Sequence, residues 1–185
     1  MSSQTETKTP FEEKSENFDA VIVGAGFAGM YMLHKCRALG LSVRVFEVGE
    51  GVGGTWYWNR YPGARCDVES VQYSYQFDSE LEQEWTWSEK YSTQPEILKY
   101  ANHVADRFDL FSDIQFKTRV LSAEYSKKDK VWVVTTDTSE KITARFCIFA
   151  LDVCPLQIPP NLRALTRSMA YLITLGDGRT EVSTS

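Results

Sequence analysis

Four residues in the N-terminal part of the chain have the types and spacing that bind a dinucleotide. Gly24, Gly26 and Gly29 form the pattern Gly-x-Gly-x-x-Gly. In this pattern the first glycine permits a tight turn, the second lets the backbone approach a pyrophosphate, and the third lets a helix pack closely on a strand. Glu47 follows about 20 residues beyond the turn, where an acidic side chain accepts hydrogen bonds from a ribose. The spacing therefore predicts a site for a pyrophosphate and its adenosine ribose.

A strand, a helix and a second strand must position these residues. An apolar run over 18–23 precedes the turn, a helical segment covers 30–39, and Gly40 ends it. Residues 42–46 are predicted as the second strand, which stops at Glu47. The first N–H groups of the helix would face the phosphate anions. The alternative is an ordinary turn with a strand-end carboxylate, but it has to explain strand, spacing, helix and acid separately.

Composition and charge exclude several classes of protein. The 185 residues are 43% hydrophobic and 24% charged, which is typical of a globular chain. A formal net charge of −5 with scattered basic residues argues against a nucleic-acid or anionic-membrane partner. No run approaches the ~18 apolar residues of a membrane span and no signal sequence is evident, so we expect a cytoplasmic protein. No metal site is expected, because the cysteines lack ligand spacing and are predicted to be packed thiols rather than disulfides. They are Cys36, Cys66, Cys147 and Cys154.

The segment 48–67 is dense in glycine and aromatic residues. Gly53 and Gly54 permit close backbone approach to a ligand, and the rings that follow can wall off a planar, partly apolar ring system from water. These rings belong to Trp56, Tyr57, Trp58 and Tyr61. A planar cofactor fits this pattern, while an ordinary aromatic core remains open residue by residue.

The next segments are predicted to be structural. Residues 67–77 are either a short helix or extended, and they bring Tyr73 and Tyr75 into the neighbourhood of the preceding rings. A clearer helix opens with Thr93 as its cap and Pro95 in its first turn. Its apolar residues fall at helical spacing and indicate core packing. His103, on the same helix, has no evident partner and is interpreted as structural or exposed.

Three strands are predicted in the last third of the globular region. Residues 114–125 read as one alternating strand, 131–136 as a second and 141–150 as a third. An antiparallel pair would lead back into the main sheet, where 146–150 would form its last parallel strand.

The ordered motifs resemble the N-terminal part of the Baeyer–Villiger monooxygenases. The resemblance covers 18–150 and depends on three strings: the glycine pattern with Glu47, Gly-Gly-Thr-Trp-Tyr-Trp-Asn-Arg-Tyr-Pro-Gly-Ala-Arg-Cys-Asp-x-Glu-Ser from Gly53, and Ser-Thr-Gln-Pro-Glu-Ile-Leu from Ser92. It implies an α/β, Rossmann-like FAD-binding domain with a parallel sheet, helices and an inserted antiparallel β-meander, incomplete in this chain. Members of the family use FAD and NADPH to insert oxygen beside a ketone carbonyl, giving esters or lactones.

The resemblance also implies the roles of individual residues. Asp67 has the place of the active-site aspartate near the flavin, although a capping residue before 68–70 is the alternative for it. The pyrophosphate would be held around the glycine turn and the ribose by Glu47. The implied cofactor-binding residues are Gly24, Gly26, Phe27, Ala28, Gly29, Glu47, Gly54, Thr55, Trp56, Arg65, Asp67, Tyr73 and Val120.

Two terminal segments fall outside the resemblance. Residues 1–17 are polar and predicted to be a disordered leader. Residues 151–185 lack the family's expected continuation and are predicted to be read out of frame. The hypothesis is that one base has been lost after the Ala150 codon. When that base is restored, the codons of the tail permit Ala-Thr-Gly, followed by the Phe, Gly, His, Thr, Trp and Pro of the family fingerprint at the fingerprint's own spacing. Codons that are incompatible with this fingerprint would refute the hypothesis.

These departures shape the functional expectation. A chain ending at Ser185 is expected to lack the NADPH-binding domain and to be inactive on ketones by itself. Two further interpretations stay open: another two-dinucleotide flavin monooxygenase that oxygenates nitrogen or sulfur, and a non-catalytic remnant. The oligomeric state is not predicted.

Overall fold

A computed structural model describes residues 16–151 of the chain. The first strand begins at Glu16, so the last two residues of the predicted leader belong to the sheet. The rest of the leader and, after Leu151, the tail predicted to be out of frame lie outside the described residues.

The described chain alternates strands and helices in its first half and ends in consecutive strands. The strands are β1 (Glu16–Val23), β2 (Val43–Phe46), β3 (Ile114–Gln115), β4 (Val120–Ser126), β5 (Val131–Thr136) and β6 (Lys141–Phe149). The helices are α1 (Phe27–Ala38), α2 (Thr55–Trp58), α3 (Ser79–Glu84) and α4 (Gln94–Arg107), with 3₁₀ turns at Ser70–Tyr73 and Leu110–Asp113.

The six strands form one mixed sheet in the order β3-β2-β1-β6-β5-β4. β1 pairs in parallel with both β2 and β6, and β2 pairs in parallel with β3. β5 is antiparallel to β4 and to β6. The predicted fold class, a parallel Rossmann-like sheet with an inserted antiparallel meander, is therefore confirmed.

Alternate residues of β1 are buried on the two faces of the sheet. Ile22 packs in one core cluster with Met30 and Leu33 of α1, while Val21 and Val23 pack in a second cluster with residues of the meander. Burial on both faces explains why β1 is continuously apolar rather than alternating, as is usual for a central parallel strand. This strand directs its carboxyl end at the glycine turn.

The prediction of one strand over 114–125 is wrong. β3 ends at Gln115 and β4 begins at Val120. Between them Lys117 has a φ of 54°, and the N–H groups of Lys117 and Thr118 donate to the carbonyl oxygens of Gly49 and Glu47. The sequence alternates correctly, but these backbone groups bind the loop after β2 instead of continuing a ladder.

The predicted start of α4 is confirmed, with Thr93 at the N-cap and Pro95 in the first turn. The side chain of Thr93 makes no capping hydrogen bond. His103 lies on this helix with its Nε2 atom 3.5 Å from Glu84, so the residue packs between elements, as expected. No helix within 16–151 has both the length and the apolar character needed to cross a membrane.

Candidate functional site

At two of the three glycines in the turn there is no space for a side chain. Gly24 has a φ of 102°, and a Cβ atom added there would lie 2.7 Å from the carbonyl oxygen of Ala150. A Cβ atom at Gly29 would lie 1.9 Å from the carbonyl oxygen of Gly24. The first glycine therefore permits the turn and the third permits close packing of α1 on β1, as the sequence predicts.

The N-terminus of α1 is open for an anion. Gly26 is the N-cap and has no side chain to cap the helix, and the N–H of Met30 donates to the carbonyl oxygen of Gly26. The N–H groups in the first turn, at Phe27, Ala28 and Gly29, have no acceptor within the helix. They carry the positive end of the helix dipole, which favours a phosphate group.

Gly53 and Gly54 form a second glycine motif, which lies against the N-terminus of α1. A Cβ atom at Gly26 would lie 3.4 Å from the Cα atom of Gly54, whose own φ is 53°. Gly53 donates its N–H to the carbonyl oxygen of Ala25 at 3.0 Å. The two glycine motifs, far apart in sequence, therefore form one backbone surface beside the start of α1.

Glu47 directly follows β2 and is 7% exposed. Its Oε2 atom accepts the N–H of Ala25 at 2.7 Å, and its Oε1 atom accepts the N–H of Gly49 at 2.7 Å. Each carboxylate oxygen can accept a second hydrogen bond. The side chain thus stabilises the glycine turn and retains acceptor capacity for ribose hydroxyl groups.

Three predicted cofactor residues meet in one aromatic cluster. The ring of Tyr73 makes edge contacts with Phe27 and with Trp56, each with centroids 5.5 Å apart. Trp56 is buried, whereas Trp58 and Tyr61 are 47% and 63% exposed. Among the four aromatic residues after the glycine pair, Trp56 is thus a core residue, and Trp58 and Tyr61 lie at the surface.

Sequence reasoning missed a pair of tyrosine hydrogen bonds behind this cluster. Tyr75 donates its hydroxyl to the carbonyl oxygen of Phe27 at 2.5 Å, and Tyr100 accepts the N–H of Tyr75 at 2.8 Å. Burial raises the pKa of Tyr75 well above its usual range and raises the pKa of Tyr100 to about 12. Both phenols stay protonated and fix the first residue of α1. Only the proximity of Tyr75 was available from the sequence.

Arg65, Cys66 and Asp67 alternate in exposure. Cys66 is buried against Trp56, while Arg65 and Asp67 are exposed. Arg65 forms an ion pair with Glu89, its Nη1 atom 3.1 Å from Oε2. The N-cap of the following 3₁₀ turn is Glu69, which leaves the alternative of Asp67 as a cap before 68–70 untested. Roles for Arg65 and Asp67 at a cofactor remain predictions.

Val120 is buried at the start of β4 and packs in the same cluster as Phe46. No contact of Val120 with Glu47 follows from this, and its role at a cofactor remains a prediction. The cysteines are packed thiols as predicted: Cys36 and Cys66 are buried, and burial raises the pKa of Cys147 to about 12. Cys154 lies outside the described residues. Within 16–151 no group of three or more His, Cys, Asp or Glu side chains could hold a metal ion.

Comparison with known proteins agrees with this geometry. A family model for NAD(P)-binding Rossmann-like domains matches residues 22–82, which include the glycine turn and Glu47. A Baeyer–Villiger monooxygenase of Pseudooceanicola batsensis is 45% identical over 167 residues, which are 89% of this chain and 30% of that protein. The chain is homologous to one part of the Baeyer–Villiger monooxygenases.

Two further relatives define the range of this similarity. Phenazine N-monooxygenase of Lysobacter antibioticus is 45% identical over 161 residues, 86% of this chain and 30% of that protein. The structure of an oxidized steroid monooxygenase bound to NADP superimposes with a TM-score of 0.71 and 61% identity, covering 72% of this chain and 26% of that one. The 185-residue chain thus spans about three tenths of the length of these curated relatives.

Proposed function

We propose that residues 18–150 are the FAD-binding portion of a Baeyer–Villiger monooxygenase that uses NADPH and oxygenates ketones to esters or lactones. The whole reaction is proposed for the complete protein, because this chain spans only about 30% of its relatives' length. The observation that carries the proposal is the glycine turn, whose open helix end lies beside a buried carboxylate.

The described residues fit a dinucleotide of this kind. N–H groups at Phe27 and Ala28 would bind the pyrophosphate, and Gly26 would let it approach. Glu47 would accept the ribose hydroxyl groups while it continues to hold Ala25. When bound, FAD would supply the redox and oxygen chemistry that protein side chains lack.

Residues after Glu47 would form the flavin end of the site. Gly54 and Thr55 open α2 directly beside the start of α1, where Gly54 approaches Gly26. Trp56 and Tyr73 would support the flavin end through the aromatic cluster. Val120, which packs in one cluster with Phe46, would be a further contact of the cofactor. We assign Asp67 as the carboxylate that orients a cationic partner and the nicotinamide in the complete protein, with Arg65 as its neighbour.

One observation favours a second function for the same fold. The relative that oxygenates a phenazine nitrogen is as similar to this chain as the Baeyer–Villiger monooxygenase, at 45% identity in both cases. N-oxygenation with the same cofactors is therefore the alternative. Assaying the complete protein with a cyclic ketone and with phenazine distinguishes the two, because each activity predicts oxygen transfer to one substrate only.

FAD binding by the 185-residue chain tests the cofactor proposal directly. We expect a yellow protein whose FAD is retained on gel filtration and whose binding isotherm saturates at one FAD per chain. NADP should not compete for this site. A folded chain that shows no FAD binding by titration calorimetry would refute the proposal.

Location in the cytoplasm is proposed with the same function. Its support is chemical: Cys36, Cys66 and Cys147 are free thiols, and disulfides are typical of oxidising compartments. Fractionation of the native host, with an antibody against the chain, tests this assignment.

A further inference from the structure

The loop after Glu47 closes around a tyrosine ring. We name residues 49–51 the collar. A Cβ atom at Gly49 would lie 2.8 Å from the Cε1 atom of Tyr57, and one at Gly51 would lie 3.2 Å from its Cε2 atom. At Gly49 there is therefore no space for any side chain while the ring is in place. Gly49 and Gly51 therefore lie against opposite edges of the Tyr57 ring.

The hydroxyl of the same tyrosine closes the collar at its middle. The N–H of Glu50 donates to the Oη atom of Tyr57 at 3.0 Å. Arg60 fixes the tyrosine from the other side, because its Nε atom donates to the carbonyl oxygen of Tyr57 at 2.7 Å and its guanidinium lies 4.6 Å from the ring centroid. The ring is thus held by contacts on its edges, its face and its hydroxyl.

The collar leads directly to the ribose carboxylate. Gly49 donates its N–H to Glu47 at 2.7 Å, and its carbonyl oxygen accepts the N–H of Lys117 at 3.0 Å. Glu47 has one other backbone donor, Ala25, in the glycine turn. The orientation of the carboxylate therefore depends on the position of the collar, which is held by the N–H of Lys117 and by Tyr57.

We propose that Tyr57 is a positioning residue that sets the geometry of Glu47 and so controls recognition of the adenosine half of FAD. This inference rests on the proposed function. Tyr57 lies on α2, the element assigned to the flavin end, so that one side chain would couple the two ends of the cofactor site. Tyr57 itself is not assigned a contact with the cofactor.

Tyr57→Phe tests the proposal, because it keeps the ring and removes only the acceptor for the Glu50 N–H. Backbone amide exchange at Glu50 should accelerate in this variant. The Kd values for FAD and for ADP, which lacks the flavin, should both rise by the same factor, about two- to tenfold for one lost hydrogen bond. Tyr125→Phe, at a 49% exposed tyrosine of β4, is the matched control and should bind both ligands like the wild type.

A double-mutant cycle with Glu47→Gln separates positioning from general loosening. If Tyr57 acts through Glu47, Tyr57→Phe should cause no further loss of ADP affinity in the Glu47→Gln background. An equal loss in both backgrounds overturns the inference, as does a loss for FAD without one for ADP. Thermal melts of all four proteins establish that each is folded.

The outcomes also separate the two proposals. A folded wild-type chain that binds neither FAD nor ADP refutes the proposed function, and the inference about Tyr57 falls with it. A wild type that binds both ligands, together with a Tyr57→Phe variant of unchanged ADP affinity, refutes the inference alone.

Discussion

Substitution by alanine should lower the stability of the protein at Gly29 and weaken FAD binding at Gly26. Gly29→Ala places a Cβ atom 1.9 Å from the carbonyl oxygen of Gly24, about 1.5 Å short of an ordinary 3.4 Å contact. Both atoms of this clash belong to the backbone or are fixed to it, so α1 has to move away from β1. Overpacking of this kind costs about 1–3 kcal/mol, and more where the backbone cannot yield. We expect a large loss of stability.

Gly26→Ala should instead affect binding. Gly26 has a φ of −74°, which alanine adopts readily, and the added Cβ atom would meet Gly54 at 3.4 Å, an ordinary contact. Alanine is a poorer N-cap than glycine, so we expect a stability loss of about 1 kcal/mol at most. The methyl group would, however, occupy the surface that a pyrophosphate approaches, and a tenfold loss of FAD affinity corresponds to about 1.4 kcal/mol.

Urea denaturation and FAD titration of the same preparations separate these effects. Gly40→Ala is the control for backbone strain, because Gly40 has a φ of 72° and nothing within 4 Å of an added Cβ atom. It should lose about 1 kcal/mol of stability and keep its FAD affinity. Native stability in Gly29→Ala, or native FAD affinity in Gly26→Ala, would refute the assignment of these two glycines.

Two further predictions concern titratable groups. Burial, followed by the charge of Lys35, lowers the pKa of His34, so the folded state binds a proton less readily than the unfolded chain. The free energy of unfolding should therefore fall as pH drops below about 6.5, and His34→Gln should remove that part of the decline in urea titrations. Burial raises the pKa of Tyr75, so its contribution to stability is complete below the usual pKa of about 10 and is lost as pH rises above it. Tyr75→Phe should lose about 1 kcal/mol at neutral pH and show a weaker alkaline decline, and unchanged melting curves would contradict both expectations.

The parts of the fold that were predictable are those with local signals. β1, the turn and α1 are specified by an apolar run, a glycine pattern and a terminating glycine, and they occur in the predicted order, although β1 begins two residues and α1 three residues before the predicted starts. The break at 116–119 was not predictable, because the alternation of side chains continues through it. What interrupts the strand is the long-range pairing of Lys117 and Thr118 with the loop after β2.

The candidate site shows the same division. The pattern identified Glu47 as a ribose acceptor, but spacing carries no information on its two backbone donors, since one of them lies 22 residues away at Ala25. α3 was also missed, because half of its residues are acidic and the N-cap hydrogen bond that Asp78 accepts from the N–H of Leu81 is a weak signal in isolation. Contacts between distant segments, rather than residue types, account for what remained hidden.

The described residues determine how the cofactor is bound more than they determine which substrate is oxygenated. The hydrogen bonds of Glu47 and the close approach of Gly26 to Gly54 are made by backbone groups or by a side chain directed at the backbone. Such contacts recognise phosphate and ribose, which are common to all reactions of a dinucleotide. The chain is 45% identical both to a Baeyer–Villiger monooxygenase and to a phenazine N-monooxygenase, so this part of the sequence does not distinguish the two reactions. Substitutions at Gly26 or Glu47 should therefore change the affinity for the cofactor to the same extent whichever substrate the complete protein oxygenates.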